Sequence, residues 1–519
     1  MGATETREKK ILIAGAGLLI LLGLAARFVG VMAAPLWLDE AYSAFAAVHG
    51  FDFLWHVVPR YETHPPFYYS LLHVWTLLAG DSRVALRLPG VIAGLVTPIA
   101  VIGAARAAGR LLGCDRSRRH LLAFVAFGFA CLSIPLVEMS REVRPYPLMI
   151  LCYALLVWTL LALRRRSARG EALAGRAYAA YLVLILLLLW LHNLGALFAF
   201  AGGVAVLAAV VRRGMAKADW AWLLSGHALV LLLWLPALAI LREQTPTWVS
   251  STWLRFAWSN VPGKLAVLYA VPGWQGFAAV LLLILAVAAM IGRGWRVLAM
   301  LAALAVIPVA LSIALSAMVA PIFIMRTMTP VAVPALLLMA IGATAGAGRR
   351  RLIGLGLALI VAVNMLAVDI QARAGPPFQD WYGTVDWLAR RFRPGDQVFA
   401  YPNEGALPLS RALRDKGLDY PIRSIPAPVP AFDQGGWFPT GSRGVVSLPR
   451  DRLRAIAQQP ETRAVPTIWL LRLGPETYDP GNVFLNELHR DRIIVRSWRD
   501  GPIDIVGLRR RDLVAGAPR

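Results

Sequence analysis

The sequence predicts a polytopic α-helical membrane protein with an α/β segment at its C-terminal end. Three observations carry that expectation. Of the 519 residues, 58% are hydrophobic and only 16% charged, and the mean hydropathy is +0.60. Apolar runs of roughly 20 residues, the length that crosses a bilayer, recur along residues 11–370. Beyond residue 370, Pro, Gly and charge mix with short apolar runs instead.

The elements follow in chain order. "MGATETREKK" (1–10) precedes an apolar stretch of about 23 residues, longer than a signal-peptide core, so an uncleaved first helix is expected even though "VMAAP" (31–35) imitates a cleavage site. Basic clusters occur at 110–119, 164–176, 212–217, 293–296 and 349–351. Placing all of them, with Lys9 and Lys10, on the cytoplasmic side gives about eleven spans. They lie near 11–33, 86–107, 120–138, 146–163, 177–191, 195–211, 220–240, 274–292, 297–316, 328–346 and 352–370. An odd number puts the N-terminus inside and the C-terminus outside.

"FYYSLLHVWTLLAG" (67–80) is too short to cross and becomes an amphipathic or re-entrant helix. Residues 34–83 then form one outer loop with juxtamembrane helices, the first of them "LWLDEAYSAFAAV" (36–48). After residue 370, "QVFAYP" (397–402), "TIWLLRL" (467–473), "RIIVRSW" (492–498) and "DIVGLRR" (504–510) read as strands. Residues 381–392 and 406–417 read as helices. The expected division is a membrane domain, 1–370, and a soluble periplasmic or extracellular α/β domain, 371–519, the whole residing in the cytoplasmic (inner) membrane of a bacterial envelope.

The net charge of +23, from 53 Lys+Arg against 30 Asp+Glu, sits largely in the short loops, which positive-inside retention explains without nucleic acid. Cys114, Cys131 and Cys152 have no metal-ligand spacing and imply no disulfide framework. No Gly-rich phosphate loop, internal repeat or low-complexity tract is present.

Topology brings several polar groups to the outer face. Asp39 and Glu40 stand side by side in the first loop. "RYETHPPFYYS" (60–70) adds Arg60, Glu62 and His64. "SREVRPYP" (140–147) adds Arg141, Glu142, Arg144 and Tyr146. His192 ends a helix in "WLHNLG", and Arg326 precedes the tenth span. Each has a plain reading as well: the acids cap an interfacial helix, the arginines snorkel to headgroups, the histidines are satisfied polar residues, and Pro65-Pro66 starts a helix. Together, arginine forks suit phosphate oxygens and a carboxylate suits removal of a proton from a hydroxyl. A site at the bilayer boundary admits a lipid-borne phosphorylated donor sideways and a polar acceptor from water.

The "LDE" pair, "HPPFYYSLLHVWTLLAGDSRVALRLPG" (64–90), "SREVRPY" (140–146), "RTMTPVAVPALLLMAIG" (326–342) and "QDWYGTVDWLARRFRPGDQVFAY" (379–401) resemble the GT-C superfamily of membrane glycosyltransferases. The branch is that of the protein O-mannosyltransferases and lipid A aminoarabinose transferases, and the likeness runs over roughly residues 11–400. It implies a polyprenyl-phosphate-linked sugar donor, a hydroxyl-bearing acceptor, contact with membrane lipids, and transfer of a hexosyl or pentosyl group with inversion. Carried over, Asp39 is the catalytic base, with Glu40 beside it and Glu142 as the second acid. Arg326 holds the lipid phosphate, with Arg60, His64, Arg141, Arg144, Tyr146 and His192 as further substrate-binding residues.

The chain departs from its relatives in three places: His64 stands where some have lysine, Thr327 where many have tyrosine, and Glu142 two residues before the usual aspartate. No cofactor is required. A divalent cation could find oxygen ligands in Asp39, Glu40 and Glu142. The competing class is a lipid-linked sugar transporter or flippase, which would also gather charge among helices.

Overall fold

The computed structural model describes all residues except 1, 32, 63, 252–253, 270–272, 274–275, 293, 376, 432–447, 480 and 516–519. A helix stands at each of the eleven places where a span is expected. Among the described residues, six helices are long and apolar enough to cross a membrane: Arg83–Leu111, Tyr146–Ala168, Lys217–Thr245, Trp295–Met318, Met325–Ala343 and Arg349–Ala374. The apolar helices Ile13–Phe28, Arg176–Leu191, Gly195–Val210 and Gly276–Met290 are shorter. Leu231, Leu232, Ile284, Leu359 and Val363 stay exposed on these helices, and hydrocarbon covers such faces without cost. The chain is a multi-pass membrane protein.

Contacts divide it into two compact units. The first comprises 1–32, 87–239 and 254–375; the second comprises 33–86, 240–253 and 376–519. The units therefore do not follow chain order.

At the centre of the first unit lies Ala332–Ala343, every residue of which is buried. It packs against Gly276–Met290, Arg116–Leu132 and Trp295–Met318, and the last of these also packs against Gly195–Val210. Helices in hydrocarbon associate through close backbone approach rather than hydrophobic drive. Gly342 shows how close: a Cβ there would lie 1.9 Å from the Leu282 carbonyl oxygen. The five basic loops neighbour one another. Arg110 lies within electrostatic reach of Arg119, Arg165 and Arg169, and Arg351 of Cys114. Arg212 donates to the Gly170 carbonyl (3.2 Å), and Arg296 to that of Val211 (2.6 Å).

Among the described residues of the second unit, five strands form a sheet: β1 Gln397–Tyr401, β2 Ile422–Ser424, β3 Thr467–Leu473, β4 Arg492–Asp500 and β5 Ile503–Arg510, in the order β2-β1-β3-β5-β4. β2, β1 and β3 run parallel, while β5 pairs antiparallel with β3 and β4. Side chains alternate between two cores, as the pleat demands. Val398, Ala400, Trp469, Leu471, Ile503 and Ile505 face helices Trp381–Ala389 and Ala406–Asp415. Phe399, Tyr401, Ile468, Leu470, Val506 and Leu508 face Leu453, Phe484 and Leu488. The four expected strands and two expected helices are in place; β2 is an addition. In the same unit, helices Leu38–Ala47 and Pro66–Ala79 lie within residues 34–83, where juxtamembrane helices are expected.

Replacing Gly342 by Ala should lower stability in detergent by about 1–3 kcal/mol, because the obstructing atom is backbone and cannot rotate away. Gly356→Ala, where a Cβ meets nothing within 4 Å, should show no loss. Thermal unfolding of both variants checks the pair.

Candidate active site

The acid pair lies in the first turn of Leu38–Ala47, where carboxylates suit the positive end of the helix dipole. Trp37, at the N-cap, has no oxygen with which to cap the helix. Glu40, 1% exposed, turns back so that its Oε2 accepts from the Trp37 backbone N–H (3.3 Å). Asp39 is half-buried, and its own carbonyl accepts from Ser43 Oγ (2.9 Å). The adjacent acids thus differ in place: Glu40 is buried and folds back onto the backbone, and Asp39 is half-buried in the first turn.

Around this helix the loop is closely tied. Tyr42 donates to the Tyr61 hydroxyl (2.8 Å) and packs edge-on to Tyr69. His73 Nδ1 donates to the Ala47 carbonyl (2.8 Å), joining the end of the first short helix to the second. Pro66 starts that second helix, as expected. Gln244 donates to the carbonyls of Pro59 and Glu62.

His64 and Glu62 are both buried, and His64 Nδ1 lies 2.5 Å from Glu62 Oε1. The expected substrate histidine is therefore paired with a carboxylate, which adds Glu62, quoted in the motif without a role, to the candidate residues. Arg60 is exposed at the end of a one-turn 3-10 helix.

The remaining expected residues belong to the first unit. Between helices Ile134–Met139 and Tyr146–Ala168 the chain turns through 140–145, against the backbone at Gly90: a Cβ there would meet the Ser140 carbonyl oxygen at 2.9 Å and that of Glu142 at 3.2 Å. Arg144 and Tyr146 are buried, and Glu142 is half-buried. Arg141 is also half-buried, within electrostatic reach of Glu138, Asp369, Arg87 and Arg373.

Tyr146 forms a cluster with two residues distant in sequence. Its ring centroid is 5.9 Å from that of His192, and the Arg326 guanidinium carbon lies 6.0 Å from it, at the limit of a cation–π contact. His192 is buried. Its Nδ1 accepts from the Leu194 N–H (2.9 Å), so in the neutral ring the proton is on Nε2. Lys264, which the sequence did not single out, donates to the Phe323 carbonyl (3.2 Å), three residues before Arg326.

The expected residues thus fall into two sets. Asp39, Glu40, Arg60 and His64 lie in one unit; Arg141, Glu142, Arg144, Tyr146, His192 and Arg326 lie in the other. Among the described residues, no three or more His, Cys, Asp or Glu gather as a metal-ligating group.

Comparison with solved structures decides the fold. ArnT from Cupriavidus metallidurans in the apo state superposes with a TM-score of 0.56 at 13% identity, covering 97% of this chain and 98% of that one. Its undecaprenyl phosphate complex gives 0.56 and 13%, over 96% and 98%. The Archaeoglobus fulgidus oligosaccharyltransferase, tethered to an acceptor peptide, gives 0.51 and 11%, over 97% and 74%. The chain has the GT-C fold. No family model and no curated protein matches the sequence, so the GT-C likeness rests on structure.

An ion network anchors the far end of the loop 34–83. Asp81 accepts from Arg414 (2.6 Å) and Arg411 (3.1 Å), Asp415 pairs with Arg83 (3.1 Å), and Arg411 reaches Asp415 (3.6 Å). Burial pushes the Asp81 carboxyl up, but the hydrogen bond from Arg414 and the charges of both arginines outweigh it and hold the group below its ordinary value. A lowered carboxylate stabilises the fold above its unfolded pKa, near ~3.9, and that contribution disappears as pH falls through the folded value. Hydrogen exchange of residues 79–86 should therefore be unchanged between pH 7 and 5 after correction for intrinsic rates, and faster below about pH 4. Asp81→Asn should exchange fast throughout and lose that acid step.

Proposed function

We propose that this chain is an inverting glycosyltransferase that moves a sugar from a polyprenyl-phosphate donor to a hydroxyl acceptor at the outer face of the cytoplasmic membrane. The observation that carries the reading is a fold shared end to end with ArnT, one structure of which holds undecaprenyl phosphate; Asp39, half-buried in the first turn of its helix beside the buried Glu40, is the base in this reading. In this reading the N-terminus is cytoplasmic, the eleven helices span the bilayer, and residues 371–519 form a soluble domain outside it.

The chemistry is a direct displacement. Asp39 takes the proton of the acceptor hydroxyl as its oxygen bonds to the anomeric carbon. The bond from that carbon to the phosphate oxygen breaks on the opposite face, and the electron pair leaves with the lipid phosphate. Charge grows on the departing phosphate, and fixed donors lower the barrier most where charge develops. Arg326 supplies the guanidinium fork, Tyr146 carries that guanidinium on its ring face, and His192 Nε2–H is a neutral donor in the same cluster. Arg60, His64, Arg141 and Arg144 add donors for donor and acceptor, and Glu142 is the second acid. The sugar, hexosyl or pentosyl, and the acceptor (lipid, glycan or protein) are for assay to name.

Detergent-purified protein incubated with a panel of polyprenyl-phosphate sugars should release free polyprenyl phosphate from one of them, read by mass spectrometry. Asp39→Asn should lose about 10²–10⁴-fold of that turnover, the range of a general base; a folded Asp39→Asn enzyme with undiminished turnover overturns the assignment. Arg326→Ala should weaken binding of undecaprenyl phosphate by about 10–100-fold, the equivalent of one charged hydrogen bond. Arg326→Lys should fall between, keeping the charge without the fork. Equilibrium binding of the lipid phosphate checks both variants.

A further inference from the structure

A ten-residue helix is too short to hold its own shape in water, and its first N–H groups have no partner within the helix. Leu38–Ala47 meets this in an unusual way. Its N-cap residue, Trp37, has no capping oxygen. Glu40 serves the Trp37 N–H, while the Leu38 N–H donates to Oε1 of Gln379, 341 residues away in sequence (3.0 Å). The cap of the helix that carries Asp39 is thus supplied by the C-terminal segment.

That oxygen is itself held. Gln379 is buried, and Trp381 Nε1 donates to the same Oε1 (2.9 Å). Trp381 is fully buried among Val398, Leu409 and Ile505, and Leu38 packs on that core. Next to Gln379, the Asp380 N–H donates to Asp500 Oδ2 at the end of β4 (3.2 Å), and the Asp380 side chain caps the following helix at Gly383 (2.9 Å). Trp37 stacks edge-on against Phe378 at 6.1 Å, and Ala406–Asp415 packs along Leu38–Ala47. The ion network at Asp81 and Asp415 fastens the other end of the same loop to the same helix. Every member of this chain of contacts lies within one compact unit.

We infer that Gln379 is a positioning residue for the reaction: it fixes the first turn of the Asp39 helix to the C-terminal sheet, and the C-terminal segment is the mount of the catalytic base. The inference rests on the reading of Asp39 as the base. Asp39 hangs from the peptide next to the one Gln379 holds, so losing the cap lets the carboxylate wander. Positional errors of about an ångström in a reacting group cost up to about 10²-fold in rate.

The test compares Gln379→Leu, which removes the acceptor, with Gln379→Glu, which keeps an oxygen there. Gln379→Leu should lower kcat by about 10-fold or more with KM for the donor within about twofold. It should also speed amide exchange in residues 36–43 while leaving 467–473 of β3 protected. Gln379→Glu should restore most of kcat. Its added negative charge beside Asp39 should move the acid limb of the pH–rate profile upward.

A general structural role would instead lower melting temperature, loosen β3 and show no rescue, and that result overturns the proposal. Wild-type kcat or unchanged exchange at 36–43 in Gln379→Leu overturns it too, provided Asp39→Asn is inactive. Full turnover by Asp39→Asn would instead overturn the assignment of the base.

Discussion

In hydrocarbon every carbonyl must find its donor within the protein, and the exit of the first helix shows how much depends on that constraint. Helix Gly2–Phe28 ends at the start of the loop that carries the acid pair, and its exit is served by its own Arg27 and by arginines from two other places in the sequence. Arg27, only 1% exposed, donates to the carbonyls of Gly23 (3.1 Å), Cys131 (3.1 Å) and Ala130 (3.3 Å). Arg87 donates to that of Val31 (2.6 Å). Arg373, paired with Asp369 (2.8 Å), donates to those of Ala25 and Val29 (both 3.4 Å). Positive groups at a helix C-terminus also oppose its negative dipole end. The same guanidiniums therefore satisfy the backbone and fix the point where the chain leaves the helix.

The two acids next along the chain illustrate why residue type alone does not assign a role. Both favour a helix N-terminus, and either could act as a base. What separates them is their place in the turn. Glu40, at the third helical position, is long enough to fold back onto the N–H before the helix, as in a capping box. Asp39 sits at the second position on a shorter side chain. Here the plain reading of the pair as a helix cap holds for Glu40, and the chemical reading is the proposal for Asp39.

How much of this was legible in the sequence follows from the range of the interactions. The helices could be read because apolarity over about 20 residues is a local signal, and four strands could be read because β-branched and aromatic residues cluster over five to nine positions. β2 could not: three half-buried residues, "IRS" (422–424), carry no run of their own, and β1 makes them a strand by pairing. The acids and arginines of the site were legible as types in motifs. Their partners were not. Gln379 reaches Leu38 across 341 residues, and Tyr146 meets Arg326 and His192 from three separate helical segments. Lys264 stands in a stretch that resembles no motif. Glu62 was visible two residues before His64, but its burial was not, and burial is what makes it a partner rather than a surface charge.

The second unit draws on three separated stretches of chain, and stability gives a reason. Helices of 10 and 14 residues cannot persist as an isolated loop, and the sheet needs cover for one face. Leu38 and Tyr382 both pack on the core under Trp381 and Leu409, so the loop 34–83 and the C-terminal segment cover apolar surface for each other. Folded apart, each would expose what the other now buries, at roughly 25 cal/mol for every Å² of apolar area. A loop that gains its shape from the sheet also takes its orientation from it. The C-terminal segment holds that orientation through the hydrogen bond at Leu38 and the ion pairs at Asp81 and Arg83, which is the route by which it acts in the proposed reaction.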